Sequence, residues 1–216
     1  MDIKYEIIID YLPMFMKGTL LTIGLSIASI LAGSVLGLLI GFGKMAPRWY
    51  FRWPFHCYIN FFRGTPFYVQ ILIVHFGLVP LVTGGTNPIV SAIVAMSLNS
   101  AAYSAEIFRA GIQSIDIGQR EAALSLGMTG GQTMRFVILP QAIKRMLPAF
   151  GNEFIVLVKD SSLMALLAAP EIMYWSNTMK GQYLRIWEPY LTAALIYFVL
   201  TYSLSKLLVY LERKMK

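Results

Sequence analysis

Residues Glu121 to Pro140 read EAALSLGMTGGQTMRFVILP, a polar, glycine-bearing stretch set between two segments apolar enough to span a membrane. Asp116 with Gln119 provides a helix start, an acidic cap with a reciprocal side chain three residues on, and Gly127 suits the left-handed residue that ends a helix. A short helix over 117–126 follows. Thr129 caps a second helix running to Leu139, and Pro140 fits the first turn of a further one because it needs no backbone donor there. On the first helix Ala122 and Leu126 share a face flanked by Gln119 and Ala123, so the exposed stripe is small and shallow. A hairpin of this kind outside the bilayer invites docking into a partner's cleft.

Working outward, the chain has 216 residues, of which 57% are hydrophobic and only 13% charged, with a mean hydropathy of +0.63. That composition specifies a polytopic membrane protein and argues against a soluble domain. No linker or low-complexity run divides the chain, so a single domain over residues 1–216 is expected. Five segments are expected to cross the roughly 30 Å of hydrocarbon as helices. They cover about 19–43, 64–82, 88–108, 143–167 and 189–211, with the hairpin at about 116–140 between the third and fourth. The class is therefore an all-α, five-span membrane protein. The acidic leader before the first span does not fit a cleaved signal peptide.

Basic residues set the orientation. Lys44, Arg48 and Arg52 follow the first span, and Arg109, Arg120, Arg135, Lys144 and Arg145 surround the hairpin. Lys206, Arg213, Lys214 and Lys216 close the C-terminus. These sides are expected in the cytoplasm, with the N-terminus outside, where Lys4, Lys17, Lys180 and Arg185 are offset by acids. The net charge of +7 is mostly this bias and does not argue for nucleic acid. Trp49 to Phe62, aromatic with interspersed basic residues, is expected to lie along the inner interface as an anchor belt.

Ionisable groups inside a bilayer cost about 2.5 to 3.5 kcal/mol on insertion scales and so mark sites. Glu153 falls in the middle of the fourth span, and Asp160, seven residues on, lies on nearly the same face. Asp160 has Lys159 beside it and serines after it, so a local pair or a helix break accounts for it. Glu153 has no cation within a helical turn, which leaves a partner from another helix, a hydrogen bond from Asn152 or Tyr103, or a cationic ligand. Asn99, Tyr103 and Glu106 line one side of the third span, and Asn99 reaches a depth similar to Glu153. Asn99 suits the pocket and an interhelical hydrogen bond equally. Ser100 and Ser104 read as helix packing, as do Gly33, Gly37 and Gly41. Gln70 and His75 face different directions, and His75 reads as a hydrogen-bonded packing residue. Arg63-Gly64-Thr65-Pro66 reads equally as an anion site and as a helix boundary.

Absent motifs narrow the function. There is no phosphate-binding G-x-x-x-x-G-K-[ST], no H-E-x-x-H and no C-x-x-C, and Cys57 is the only cysteine. The chain is therefore not expected to hydrolyse nucleotide, hold a metal or form an internal disulfide. A transport subunit is the natural reading. A membrane-embedded enzyme lacks any convergent nucleophile and base, while a channel or ion-coupled secondary transporter leaves the docking hairpin unexplained.

Glu-Ala-Ala, three residues, Gly127, nine residues and Val-Ile-Leu-Pro at 137–140 resemble the cytoplasmic coupling loop of ABC-importer permeases. Phe61 to Pro66, Ala101 to Ile112 and Leu157 to Leu163 look like further blocks of the polar amino-acid branch of that family, in family order. The resemblance covers the chain from about residue 12 to its end. It implies a type I importer permease in a prokaryotic inner membrane, with Glu121, Ala122, Ala123 and Gly127 contacting a cytoplasmic ATPase present in two copies. It implies a second permease subunit, a homodimer being favoured over a heterodimer, and an extracytoplasmic amino-acid-binding protein. ATP and magnesium would be bound by the ATPase and no cofactor by this chain. The pocket residues would be Glu153, Asn99, Tyr103 and Asp160, and the carboxylate at Glu153 favours a basic solute: arginine, lysine or histidine.

Overall fold

The computed structural model describes residues 3–215, and these are helical with no strand among them. Lys216 and the first two residues of the expected domain lie outside the described residues. Helix α1 spans Tyr5–Lys44, α2 Trp49–Gly64, and α3 Phe67–Thr83, the last interrupted by a π turn at Val74–Leu78. Helix α4 spans Pro88–Gln113 and α5 Ile117–Ser125. A short turn Gly130–Gln132 and a π turn Thr133–Ile138 lead into α6, Leu139–Asp160. A 3-10 segment Ser161–Leu167 follows, then α7, Ile172–Tyr183, and α8, Trp187–Met215.

Glycines let α1 approach α4 closely. A Cβ built on Gly33 would lie 2.8 Å from Ser100 Cβ, one on Gly37 2.5 Å from Ser104 Cβ, and one on Gly41 3.4 Å from the Ala105 carbonyl oxygen. The ridge therefore packs against the small face of α4, with Ser100 and Ser104 fully buried beneath it. Rising numbers on α1 meet rising numbers on α4, so these helices are parallel. The chain between them must return across the layer, which α3 does. Helix α6 is antiparallel to α4, because Met146 meets Gly111 while Phe150 meets Phe108 edge-on with centroids 5.0 Å apart. Helix α8 packs on α6 where Leu208 covers Gly151. The ends of α1 and α4, the start of α6 and the end of α8 thus share one side of the bundle, and that side carries the basic residues.

Among the described residues α1, α4 and α8 are long and apolar enough to cross a membrane singly. The pair α2 and α3 qualifies together but is bent by 112°. That makes three spans, or four with the bent pair, where five were expected. The difference lies in α6, which carries Lys144, Arg145, Glu153, Lys159 and Asp160 on an otherwise apolar helix. Charges that face a cavity or the interface rather than lipid lower its hydropathy without removing it from the bundle.

Helix α1 begins well before the expected start of the first span. At 1.5 Å per residue its 40 residues extend about 60 Å, twice the hydrocarbon thickness. Ile7, Tyr11, Phe15 and Gly18 form a buried stripe along this extension that packs on α7, where Tyr11 meets Tyr183 edge-on at 5.9 Å and Gly18 lies under Trp175. Glu171 ties α7 down. Its fully buried carboxylate accepts hydrogen bonds from the Met173 and Tyr174 backbone amides at 2.9 and 2.7 Å and from the Tyr197 hydroxyl of α8 at 2.7 Å. Sequence reasoning misses Glu171 because N-cap positions are usually recognised by Ser, Thr, Asp or Asn, and Glu is not among them.

Candidate functional site

A cavity of about 480 Å³ opens between α4, α6 and the break joining α2 to α3. Asn99, Tyr103, Glu153 and Asp160 all line it, with Asn152 and Thr65. The structure thus brings together the four residues singled out from sequence. The seven-residue interval between Glu153 and Asp160 puts both on one face of α6, and the four-residue interval between Asn99 and Tyr103 does the same on α4.

Long-range hydrogen bonds hold the rim. The Asn99 side-chain amide donates to Gln70 Oε1 at 2.8 Å. Gln70 Nε2 in turn donates to the Phe62 carbonyl at 2.8 Å, the Thr65 carbonyl at 3.1 Å and Thr65 Oγ1 at 2.9 Å. These acceptors lie where α2 ends and α3 begins, so buried Gln70 splices the 112° break and orients Asn99 together. Asn99 therefore serves both as interhelical bond and as cavity wall. Arg63-Gly64-Thr65-Pro66 is the helix boundary itself: Pro66 precedes the first residue of α3, and Arg63 leans over the Tyr103 ring at 5.4 Å from its centroid. His75 Nδ1 meets Ser91 Oγ at 2.8 Å and belongs to packing, as expected.

Glu153 is 9% exposed and makes no ion pair among the described residues. The Ser100 hydroxyl faces it from α4 without satisfactory hydrogen-bond geometry. The local pair anticipated for Asp160 does not form. No ion pair or hydrogen bond joins it to Lys159, which turns away to line a separate cavity with Tyr190 and Tyr197. A helix break does occur after Asp160, but its carboxylate does not cap it, and the Ser161 hydroxyl bonds back to the Val158 carbonyl at 2.8 Å. Adjacent residues on a helix diverge by about 100°, so Asp160 and Lys159 face different spaces. Two carboxylates that make no ion pair among the described residues therefore face one cavity.

A second cavity of about 480 Å³ continues from Tyr103 and Glu153 toward the basic side of the bundle, past Glu106, Arg63 and Arg145. Glu106 is already neutralised: Arg109 donates to its Oε2 at 2.8 and 2.9 Å, and Lys44 pairs with its Oε1. Arg145 is tied to the Ser114 carbonyl. Glu153 and Tyr103 thus stand where the two cavities meet, midway along α4 and α6.

The hairpin follows its local signals with one exchange. The Asp116 side chain accepts from the Gly118 amide at 2.7 Å, and Gly127 is left-handed at φ +80°. The reciprocal capping box forms at Thr129 and Gln132 rather than at Asp116 and Gln119. Gln119 instead accepts from Gln141 at 3.3 Å, which fastens α5 to α6. The second hairpin helix does not stop at Leu139 but runs through the π turn into α6, with Pro140 in the first turn of the regular helix. Glu121, Ala122, Leu126 and Gly127 are exposed, whereas Ala123 is buried against the chain itself.

Residues 33–216 match the family described as "Binding-protein-dependent transport system inner membrane component". The chain is 37% identical to the arginine transport system permease protein ArtQ of Bacillus subtilis (strain 168), over 100% of this chain and 99% of that protein. It is 35% identical to the glutamine transport system permease protein GlnP of Escherichia coli (strain K12), over 100% and 99%. Among solved structures it superposes on a chain of an amino acid ABC transporter crystallised with histidines at a TM-score of 0.93 and 39% identity, covering 99% of this chain and 100% of that one. A helical bundle with two cavities meeting at Glu153, matched end to end by such relatives, places this chain among the binding-protein-dependent transport system inner membrane components, the non-catalytic permease subunits of ABC transporters, in which a separate subunit hydrolyses ATP.

Proposed function

We propose that this chain forms the translocation pathway of an ATP-driven amino-acid importer and that its solute is a basic amino acid. The observation that carries the reading is that Glu153 and Asp160 line one cavity and neither makes an ion pair among the described residues. At an effective dielectric near 20, one charge contact at about 4 Å is worth roughly 4 kcal/mol before desolvation, enough to decide charge selectivity. Asn99 and Tyr103 add hydrogen bonds from the opposite wall. The arginine permease relative and the histidine-bearing neighbour support this substrate class, and the glutamine relative supports a polar amino acid more broadly.

In this reading the permease forms a single domain and works as a pair of subunits, a homodimer before a heterodimer. An extracytoplasmic binding protein delivers solute, and two copies of a cytoplasmic ATPase carry ATP and magnesium. The basic side of the bundle faces the cytoplasm of a prokaryotic inner membrane. Glu121, Ala122 and Gly127 meet the ATPase, and Ala123 supports the same loop from beneath. The bundle then alternates access as the hairpins move.

The test is Glu153→Gln in the reconstituted transporter, which keeps shape but removes charge. Uptake of arginine, lysine or histidine should fall at least tenfold while assembly and basal ATP hydrolysis persist. Normal uptake of basic amino acids by this variant, or a preference of the intact transporter for acidic or neutral solutes, overturns the assignment.

A further inference from the structure

A further cavity, of about 470 Å³, lies at the basic end of the bundle, away from the solute cavities, between the C-terminal ends of α1 and α4 and the flank of α2. It is lined by Lys44, Met45, Arg52, His56, Arg109 and Gln113. Lys44 and Arg109 share one counter-charge, Glu106, and Arg109 also donates to Gln113. The side chains of Arg52 and His56 make no ion pair or hydrogen bond among the described residues. The cleft therefore carries excess positive charge whose donors are unspent.

Its setting selects the occupant. Helix α2 turns away from α3 by 112°, so it lies across the ends of the spans rather than among them. Next to Arg52 it exposes Trp49, Phe51 and Trp53 at 67%, 57% and 61%. Aromatic rings of this kind sit at headgroup depth, and a basic pocket between span ends at the same depth meets phosphate. The Lys44–Glu106 pair fixes the two span ends that form the cleft, so an occupant would bear on the α1–α4 contact as well.

We propose that this cleft binds the phosphate of an anionic phospholipid, with Arg52 and His56 as the donors that hold it. The proposal rests on the membrane setting and not on which solute is carried.

The complete transporter, purified with its ATPase, should retain phosphatidylglycerol in preference to phosphatidylcholine when lipids are exchanged in nanodiscs and bound species are weighed by native mass spectrometry. Arg52→Gln with His56→Gln should lower that retention about fivefold or more, the effect of one lost basic residue near an anionic surface. Arg52→Lys should keep most of it, and Lys214→Gln, basic and on the same side but outside the cleft, should leave it unchanged. If the double variant does not assemble, Arg52→Gln alone, at an exposed position without a partner, should still give about a fivefold loss. Equal retention of the two lipids, or wild-type retention in the variants, overturns the proposal. So does displacement of the lipid by inorganic phosphate alone, which would mark a free-anion site. Retention that appears only once the ATPase is stripped away would make the cleft a protein-docking surface and equally overturns it.

Discussion

At the scale of single residues, glycines with different surroundings should respond in opposite directions to the same methyl group. Gly37→Ala places its Cβ 2.5 Å from Ser104 Cβ and 2.8 Å from the Ala101 carbonyl oxygen, and backbone cannot yield as a flexible side chain does. Overpacking of this kind costs about 1 to 3 kcal/mol. Gly24, on the same helix, has nothing within 4 Å of a built Cβ, so Gly24→Ala should be neutral or stabilising by up to about 1 kcal/mol through lost unfolded-chain entropy. Thermal unfolding of the assembled transporter separates the two, and equal shifts would remove the ridge from the account. Gln70 is the other test at this scale. Gln70→Leu strips the donors from the helix break and the acceptor from Asn99, leaving buried polar groups unmet at about 1 to 3 kcal/mol. Uptake should fall with stability. A variant equally stable and active would show that Asn99 needs no orientation. Glu153 was legible as an isolated carboxylate, but its lack of a partner was not, because any basic residue on another helix was free to meet it until the neighbours were known.

For the elements, the hairpin carries the sharpest expectation. Gly127 holds φ +80° with nothing within 4 Å of its built Cβ, so substitution there is limited by backbone conformation and not by space within this chain. Gly127→Val should strain the left-handed residue by about 1 to 2 kcal/mol or more and unfasten the end of α5. Asn tolerates that conformation, so Gly127→Asn should keep it. Solute-stimulated ATP hydrolysis and co-purification of the ATPase should therefore be lost in the first variant and largely kept in the second. Coupling intact in both would disconnect the loop geometry from the ATPase. The caps at Asp116, Thr129 and Gly127 were readable because each acts on groups within three or four residues. The continuation of the second hairpin helix through Pro140 was not, since Pro140 is equally acceptable at a true helix start and in the first turn after the π turn.

The whole molecule sorts its charges by side, and its single cysteine reports on that sorting. Cys57 is exposed on α2, at the end of the bundle that carries Lys44 and Arg52. A membrane-impermeant maleimide should label it in inverted vesicles and not in intact spheroplasts, with a permeant maleimide labelling both. Labelling from outside the intact cell would reverse the orientation. The exposed apolar face of α8, with Leu195, Phe198 and Val199 more than half exposed, suits contact with lipid or with a second permease subunit.

By itself the sequence determined what depends on composition and on neighbours a few residues apart. That covers the helical membrane class, the polar hairpin with its caps, the glycine ridge, and the shared face of Glu153 and Asp160. The tertiary structure decided which faces meet. It parted Asp160 from Lys159, committed Glu106 to Lys44, joined Asn99 to Gln70, and turned α2 by 112° from α3. It also buried Ala123 and Glu171. The physical reason is that helical spacing specifies which side chains share a stripe but holds no information about which stripe lies opposite, and charge pairing, desolvation and cavity shape all depend on that opposite surface.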